Sequence, residues 1–529
     1  MEKLKENQEV TRSAGAMALG TLGSRILGLL RDIILAALFP NLVKDAFVVA
    51  FRLPNLFRRL LGEGSLSVSF IPVYVDERDS GSPIQALNLA GTIWSLLMIL
   101  TAILSAIGVI FMPDVINMLV PGQSYQSVEG KVELTVLLAR IMFLYLFLVT
   151  SYAFLMAICQ SHRKFFGPAI APAFFNLVLI VFSLVPDSMV GGISGVQLAL
   201  GVILGGLAQL SLVVIQLVKI QKLPRPQLRL SHPGVKTVLA NMVPGMIGLG
   251  VLQLIGIVNV YFASQLEQGS HSYIYFADRI LELPMSLIAI SLGSALLPTL
   301  SSLWAKGKIA EMHSTCLSQL KVLVFTSLPC AIGMYFLAEP MVVLLFKHGK
   351  FDIEDVRATQ SIIEIYAFLL MASSFVRVLA PSFYAIKNTW YPAVVSAICL
   401  LVHIVLAPQL MTHYQLNGII GSLVVTGYIN AILLLVGYFF FIGKFPLKEF
   451  VLYLFKLTAP ALIMAGFIQL QFYILSLISI QAPFLNAFIN VVIGGVLSVL
   501  VYGMVAYYFK NEEVIQVAGL LRRKILRKT

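Results

Sequence analysis

Hydrophobic residues in this chain come in long runs separated by short polar or proline-rich breaks. A helix that crosses a membrane needs about 20 consecutive apolar residues. Reading with that window predicts fourteen spans, at 13–39, 44–75, 84–112, 132–158, 166–186, 192–218, 235–266, 271–303, 315–338, 355–386, 391–410, 415–442, 447–475 and 484–509. An outer-membrane barrel would instead alternate apolar and polar positions over segments of about ten residues, a pattern these runs lack. The expected fold is an all-α polytopic membrane protein. Span 1 is too long for a cleavable signal, carries Arg25 and Arg31 and is followed by no small-x-small site, so it is expected to stay in the mature chain.

Composition sharpens this reading. Of 529 residues 59% are hydrophobic and 12% charged, with a mean hydropathy of +0.91; a soluble globule would be nearer ~45 to 50% apolar. Of the 37 Lys and Arg, 23 fall in the N-terminal tail, the loops after even-numbered spans and the C-terminal tail, against five (Lys44, Lys131, Lys347, Lys350 and Arg357) after odd-numbered spans. The positive-inside rule then places both termini in the cytoplasm. The net charge of +12 is a topology signal, and the basic tail at 522–528 fits anionic lipid rather than nucleic acid.

With residues in the first two turns of a span counted with the adjoining loop, nine basic residues remain within spans: Arg25, Arg31, Arg52, Arg58, Arg59, Arg140, Arg279, Arg377 and Lys456. Arg140, Arg377 and Lys456 each stand alone and read as structural or interfacial. Arg25, Arg31, Arg52 and Arg279 lie well inside apolar stretches, where facing lipid would cost roughly 10 to 14 kcal/mol for the four. They are expected to line a hydrated cavity and to meet an anion. Guanidinium offers a planar donor fork matched to phosphate and stays charged at any relevant pH.

The chain also repeats itself at an offset near 225. Gly20-Thr-Leu-Gly23 resembles Gly245-Met-Ile-Gly248; Ala50-Phe-Arg52-Leu with Pro72 resembles Ala277-Asp-Arg279-Ile with Pro298; Phe165-Phe-Gly-Pro168-Ala resembles Trp390-Tyr-Pro392-Ala. Three matches at one offset argue for a duplicated six-helix unit, and six spans preserve orientation, so the halves are expected to be parallel. The expected division is 1–230 and 231–445 for the two lobes, with 446–529 holding two added spans and a basic tail.

Around the arginines, Gly20, Gly23 and Gly28 flank Ser24-Arg25 and Arg31-Asp32, and a bend at Gly28 would turn both guanidiniums towards one ligand. In span 2 Arg52, Asn55 and Arg59 share a face, Pro54 forces an irregularity, and Glu63 follows Arg59 by one turn. In span 8 Asp278 and Glu282 flank Arg279 on neighbouring turns. The alternative is that these charges only pair with one another: Arg31 with Asp32, Arg59 with Glu63, Arg279 with Glu282 or Asp278.

Ser24-Arg-Ile-Leu-Gly-Leu-Leu-Arg-Asp32, Asp45-Ala-Phe-Val-Val-Ala-Phe-Arg-Leu-Pro-Asn-Leu-Phe-Arg-Arg59, Glu63-Gly64 and Tyr275-Phe-Ala-Asp-Arg279 together resemble the MurJ (MviN) lipid II flippases of bacteria. Leu345-Phe-Lys-His-Gly-Lys-Phe351 and Val378-Leu-Ala-Pro-Ser-Phe-Tyr-Ala385 extend the likeness, while the last 80 or so residues match mainly in hydropathy. The resemblance implies the multidrug/oligosaccharidyl-lipid/polysaccharide exporter fold: two six-helix lobes around a central cationic cavity, and two further helices beside a groove for a lipid tail. It implies as substrate undecaprenyl-diphosphate carrying the disaccharide-pentapeptide of peptidoglycan, flipped by alternating access across the bacterial inner membrane for cell wall synthesis and cell shape. Lipid II, membrane lipids and the peptidoglycan synthesis machinery are the implied partners. Arg25, Arg31, Arg58 and Arg279 match the family's functional arginines, and Arg52 stands where relatives can have Lys. Asp45 and the segment from Asp278 to Glu282 fall near the cavity or gate. Where some relatives carry an acidic residue linked to sodium in span 7, this chain has neutral Asn259, so no metal or other cofactor is expected; the driver is the membrane potential or a coupled ion.

Other classes fit less well. A membrane glycosyltransferase needs catalytic carboxylates or a sizeable extramembrane loop, and the longest outward loop, 113–131, holds only Asp114 and Glu129. An exporter of drugs or of another polyprenyl-linked polysaccharide would share the fold, but a cationic-drug exporter would carry carboxylates in place of arginines. There is no Walker A sequence, and Cys159, Cys316, Cys330 and Cys399 have no disulfide or metal spacing, so they read as packing thiols.

Overall fold

The computed structural model describes residues 20, 22–62, 65–292, 296–478, 481–511 and 514. Among them every regular element is helical. The order begins with residues 22–38 (α1), Asn41–Phe57 (α2), a π-helical turn at Arg58–Gly62, Ser65–Ser80 (α3), Pro83–Ile110 (α4), Met112–Leu119 (α5), Gln123–Gln126 (α6), Lys131–Phe143 (α7), Tyr145–Ser161 (α8), Phe166–Ser183 (α9) and Val196–Lys219 (α10). It continues with Pro233–Ala263 (α11), Ser270–Leu292 (α12), Leu296–Ala305 (α13), Ile309–Phe336 (α14), Ala338–Leu345 (α15), Ile353–Ala385 (α16), Trp390–Phe441 (α17), Leu447–Ile478 (α18), Pro483–Phe488 (α19), a π-helical stretch at Ile489–Gly494, and Gly495–Tyr508 (α20).

Residues 13–19, 21, 63–64 and 293–295 of the predicted spans lie outside the described residues. The described residues of the spans are mostly helical, and nine helices among the described residues are long and apolar enough to cross a membrane by length and composition. Spans 1, 2, 7 and 8 are not among those nine; spans 2 and 8 are charged and interrupted. Pro54 inside α2 lacks the N–H that would close its turn, and the backbone widens into the π-turn that begins at Arg58. Span 8 is split between α12, with Pro284 inside it, and α13. Spans 11 and 12 run together as α17, broken at Gln415 (φ 50°, ψ −129°). Gly418 then lies against the backbone of Leu410 and Met411, where a Cβ would collide.

Local chemistry sets the other ends. Ser82 caps α4 through Ile84 N–H at 3.3 Å with Pro83 at the first position. Asp352 and Asp355 form a reciprocal capping box at the start of α16. The side chains between helices are largely apolar, and many face outward, such as Ile103 (52% exposed) and Phe440 (82%). Surfaces of that extent belong in lipid.

Some backbone details recur at the offset of the sequence repeat. α5 and α15 are both eight-residue helices, beginning 226 residues apart. Arg163 (φ 58°) and Lys387 (φ 62°), 224 apart, are the left-handed residues that end α8 and α16. Each precedes a matching return hydrogen bond, Lys164 N–H to Cys159 O and Asn388 N–H to Phe383 O, both 2.9 Å.

By contacts the chain forms two compact units, residues 1–272 with 348–350, and 273–347 with 351–529. The expected boundary at 230/231 follows the repeat, whereas the contact boundary falls after α11. The reason is packing: Val235, Val238 and Met242 of α11 join the buried cluster of Phe70 and Tyr74 on α3, Ile93 on α4 and Phe154 on α8.

Candidate functional site

The first unit holds four of the five candidate arginines. On α1, Arg25 is exposed and makes no hydrogen bond to any described residue. Arg31, one and a half turns on, is held at all three nitrogens: Nε and Nη2 donate to Asp32 Oδ1 at 2.9 and 2.7 Å, and Nη1 to Asn176 Oδ1 at 2.9 Å. Asp32 is fully buried. Asn176 of α9 also donates from Nδ2 to the Ser24 carbonyl at 3.0 Å, so one amide ties together Ser24 and Arg31. Helix α1 continues through Gly28. The missing Cβ there gives room to the Asn176 amide, whose Nδ2 would stand 3.3 Å from it; Gly28 thus acts through space as well as through any bend. Sequence reasoning passed over Asn176. Its signal was a lone amide in an otherwise apolar span, which in a membrane needs a polar partner.

On α2 and the following π-turn, Arg58 Nε donates to Asn55 Oδ1 at 2.8 Å, and Arg59 Nη1 reaches Gln253 Oε1 on α11 at 3.5 Å. Arg52 lies against α11 at Gly256, where any Cβ would collide with its guanidinium. Gly256→Val is therefore expected to displace Arg52 and to lower transport about tenfold, the loss of one charge-assisted hydrogen bond, with folding retained because a long flexible side chain can move aside. Native transport by a Gly256→Val protein would show that the seat of Arg52 does not matter. Glu63, the predicted partner of Arg59, lies outside the described residues.

Asp45 is placed differently from the arginines. Fully buried at the start of α2, it accepts from Lys131 Nζ (2.8 Å), Gly269 N–H (2.7 Å), Ser272 N–H (3.0 Å) and Ser272 Oγ (2.6 Å). Lys131 is itself buried and sits 4.2 Å from the centre of the Tyr125 ring. Burial pushes the Tyr125 phenol up, and the Asp45 charge adds to that, so it stays a neutral partner for Thr135 Oγ1 at 2.7 Å. Asp45 thus pins the connection into α12 and has no surface to offer a substrate. Lys44 and Lys131, read from the sequence as loop charges, are both buried.

In the second unit Arg279 pairs with Glu282 at 2.7 Å and stacks over Tyr275 at 4.7 Å, while Asp278 accepts from Tyr366 Oη at 2.8 Å. Two of the pairings expected from simple charge compensation, Arg31 with Asp32 and Arg279 with Glu282, are therefore present. Arg377 of α16 is half-buried, with no hydrogen-bond or ion-pair partner among the described residues; it is a further cation that the sequence reading set aside. The two added spans enclose an apolar cleft of about 160 Å³ between α18 and α20, lined by Phe467, Leu470, Ile474, Ile493 and Leu497.

The family described as Lipid II flippase MurJ matches residues 34–478 of the chain. The chain belongs to the MurJ family. A probable lipid II flippase MurJ of Bdellovibrio bacteriovorus is 45% identical over 434 residues, 82% of this chain and 83% of that protein. The lipid II flippase MurJ of Burkholderia cenocepacia is 32% identical, over 79% of this chain and 81% of its own. A solved MurJ structure in an inward closed conformation superposes with a TM-score of 0.77 at 24% identity, over 94% of this chain and 99% of that one. An inward-facing multidrug resistance MATE family transporter of the MOP superfamily gives 0.67 at 14%, over 81% of this chain and 95% of that one. These two likenesses show that the chain shares the all-helical fold of those proteins.

Proposed function

We propose that this chain flips lipid II from the cytoplasmic to the outer leaflet of a bacterial inner membrane by alternating access, supplying cell wall synthesis. The observation that carries this reading is MurJ-family membership over residues 34–478 in a chain whose first unit sets arginines 25, 31, 52 and 58 within apolar helices. Arg25 offers an open guanidinium for a diphosphate, and Asn176 and Asp32 hold Arg31 in one orientation. A cationic-drug exporter has no use for such a set. The chain acts as a transporter, with the polyprenyl tail lying along the apolar cleft of α18 and α20. An inside-negative potential supplies about 2.3 kcal/mol per charge per 100 mV, enough to bias either the outward passage of an anionic head group or the return of an empty cationic site.

The test is replacement: a host depleted of its own flippase is expected to regain growth and lipid II translocation when this chain is expressed. A well-inserted chain that restores neither would overturn the reading. The topology that goes with it puts both termini in the cytoplasm. Reporter fusions after His232 and at the C-terminus are expected to read cytoplasmic, and those at Gln123 and Gly349 external; an external reading at His232 would break the parallel relation of the repeats.

A further inference from the structure

Arg140 lies within Lys131–Ser161, a stretch apolar enough to cross a membrane, and yet it is exposed. Its Nε donates to the Val109 carbonyl at 3.0 Å. Among the described residues that is its one hydrogen bond, and no carboxylate pairs with it. The seam beneath it is tight. Gly108 of α4 has no room for a Cβ because the Phe143 ring of α7 fills the space, and Ser105 Oγ donates to Phe143 O at 3.3 Å. The guanidinium is therefore held against a tightly packed helix pair, with both Nη groups lacking an acceptor among the described residues.

Apolar side chains continue the seam away from this end: Leu144 (53% exposed) on the α7 side, Ile107 (48%) and Ile103 (52%) on α4. In the second unit the repeat counterpart of α4 is α14, and there added helices cover the surface, with Tyr502 Oη on Phe325 O at 3.2 Å and α18 packed alongside. Among the described residues of its own unit, the flank of α4 at Ile103 and Ile107 has no such cover.

We propose that Arg140 binds the phosphate of an anionic phospholipid whose acyl chains lie on Ile103, Ile107 and Leu144. Depth and the adjoining apolar strip match a phospholipid. The 28 residues of α4 rise about 42 Å at 1.5 Å each, close to the full thickness of a bilayer with its headgroups. The last turn of α4, where Val109 holds Arg140, accordingly lies at the phosphate layer, the depth at which a phospholipid carries its anionic charge, with the apolar strip extending from there into the acyl chains. The proposal does not depend on what the protein transports.

The experiment uses the full chain, purified in detergent and exposed to phosphatidylglycerol or phosphatidylcholine, with retained lipid counted by native mass spectrometry. Phosphatidylglycerol is expected to be retained in preference and to raise the unfolding temperature. Arg140→Gln is expected to lose about fivefold of that retention, the worth of one interfacial cation, and Arg140→Lys to keep most of it. Because glutamine can disturb the Val109 contact, the lysine variant and Ile107→Ser, which weakens the strip while leaving the cation, guard against a folding defect. Equal retention by the native chain and Arg140→Gln overturns the proposal. So does a cysteine cross-linker at Ile107 that captures one membrane protein in native membranes in place of lipid.

Discussion

Arg25→Ala is expected to abolish lipid II translocation while leaving the protein as stable as the native chain. The two effects separate because Arg25 is exposed and no described residue depends on it. If it gives a diphosphate two charge-assisted hydrogen bonds, their loss is worth about 3 kcal/mol, on the order of a hundredfold in flux. Arg31→Ala should also stop transport, but with a fall in stability, since it strips buried Asp32 of its cation and Asn176 of a partner. Arg31→Lys cannot reproduce the fork that reaches both groups. Arg52→Lys keeps a charge beside Gly256 and is expected to be tolerated better. The measurement is lipid II flux in reconstituted vesicles alongside thermal unfolding in detergent. Native flux from a well-inserted Arg25→Ala protein would remove this arginine from the site.

Much of this architecture was legible in the sequence because a membrane makes hydropathy decisive: every backbone N–H and C=O must be satisfied within the segment, so a long apolar run can only be a helix. The repeat was legible for a related reason. Pairs such as Arg52 and Arg279 mark charged positions that an apolar helix would otherwise exclude. What stayed hidden depended on partners far apart in the chain. Asn176 gains its role from Arg31, 145 residues away, and Gly256 from Arg52; neither residue type announces such a contact. Asp45 was legible as important and illegible as to why, since a carboxylate near a span end reads equally well as a gate or as a buried pin. Its four donors come from Lys131 on α7, from Gly269 just before α12 and from Ser272 in the first turn of α12, which no local pattern could bring together.

That pin gives the largest stability effect expected anywhere in the chain. Lys131→Met would leave the Asp45 carboxylate in a site where both partners are 1% exposed or less, with three hydrogen-bond donors and no cation in contact. Removing one member of a buried ion pair costs about 3 to 5 kcal/mol, because the remaining charge stays desolvated. Asp45→Asn strands the ammonium in the same way, although the Tyr125 face offers partial compensation. Asp45→Asn combined with Lys131→Met buries no charge, so the double variant should be more stable than the sum of the single losses predicts, and the cycle isolates the pair's coupling. Transport should fall in both single variants as well, even though Asp45 touches no substrate: the carboxylate satisfies N–H groups at the start of α12, nine residues or fewer before Arg279 for Ser270 onwards, and loosening that start loosens the helix that presents the arginine. Denaturation in detergent provides the check. A Lys131→Met protein within 1 kcal/mol of native, about a fivefold change in the unfolding equilibrium, would mean that the buried carboxylate is neutral in the folded chain and that the pin is a hydrogen-bond cap alone.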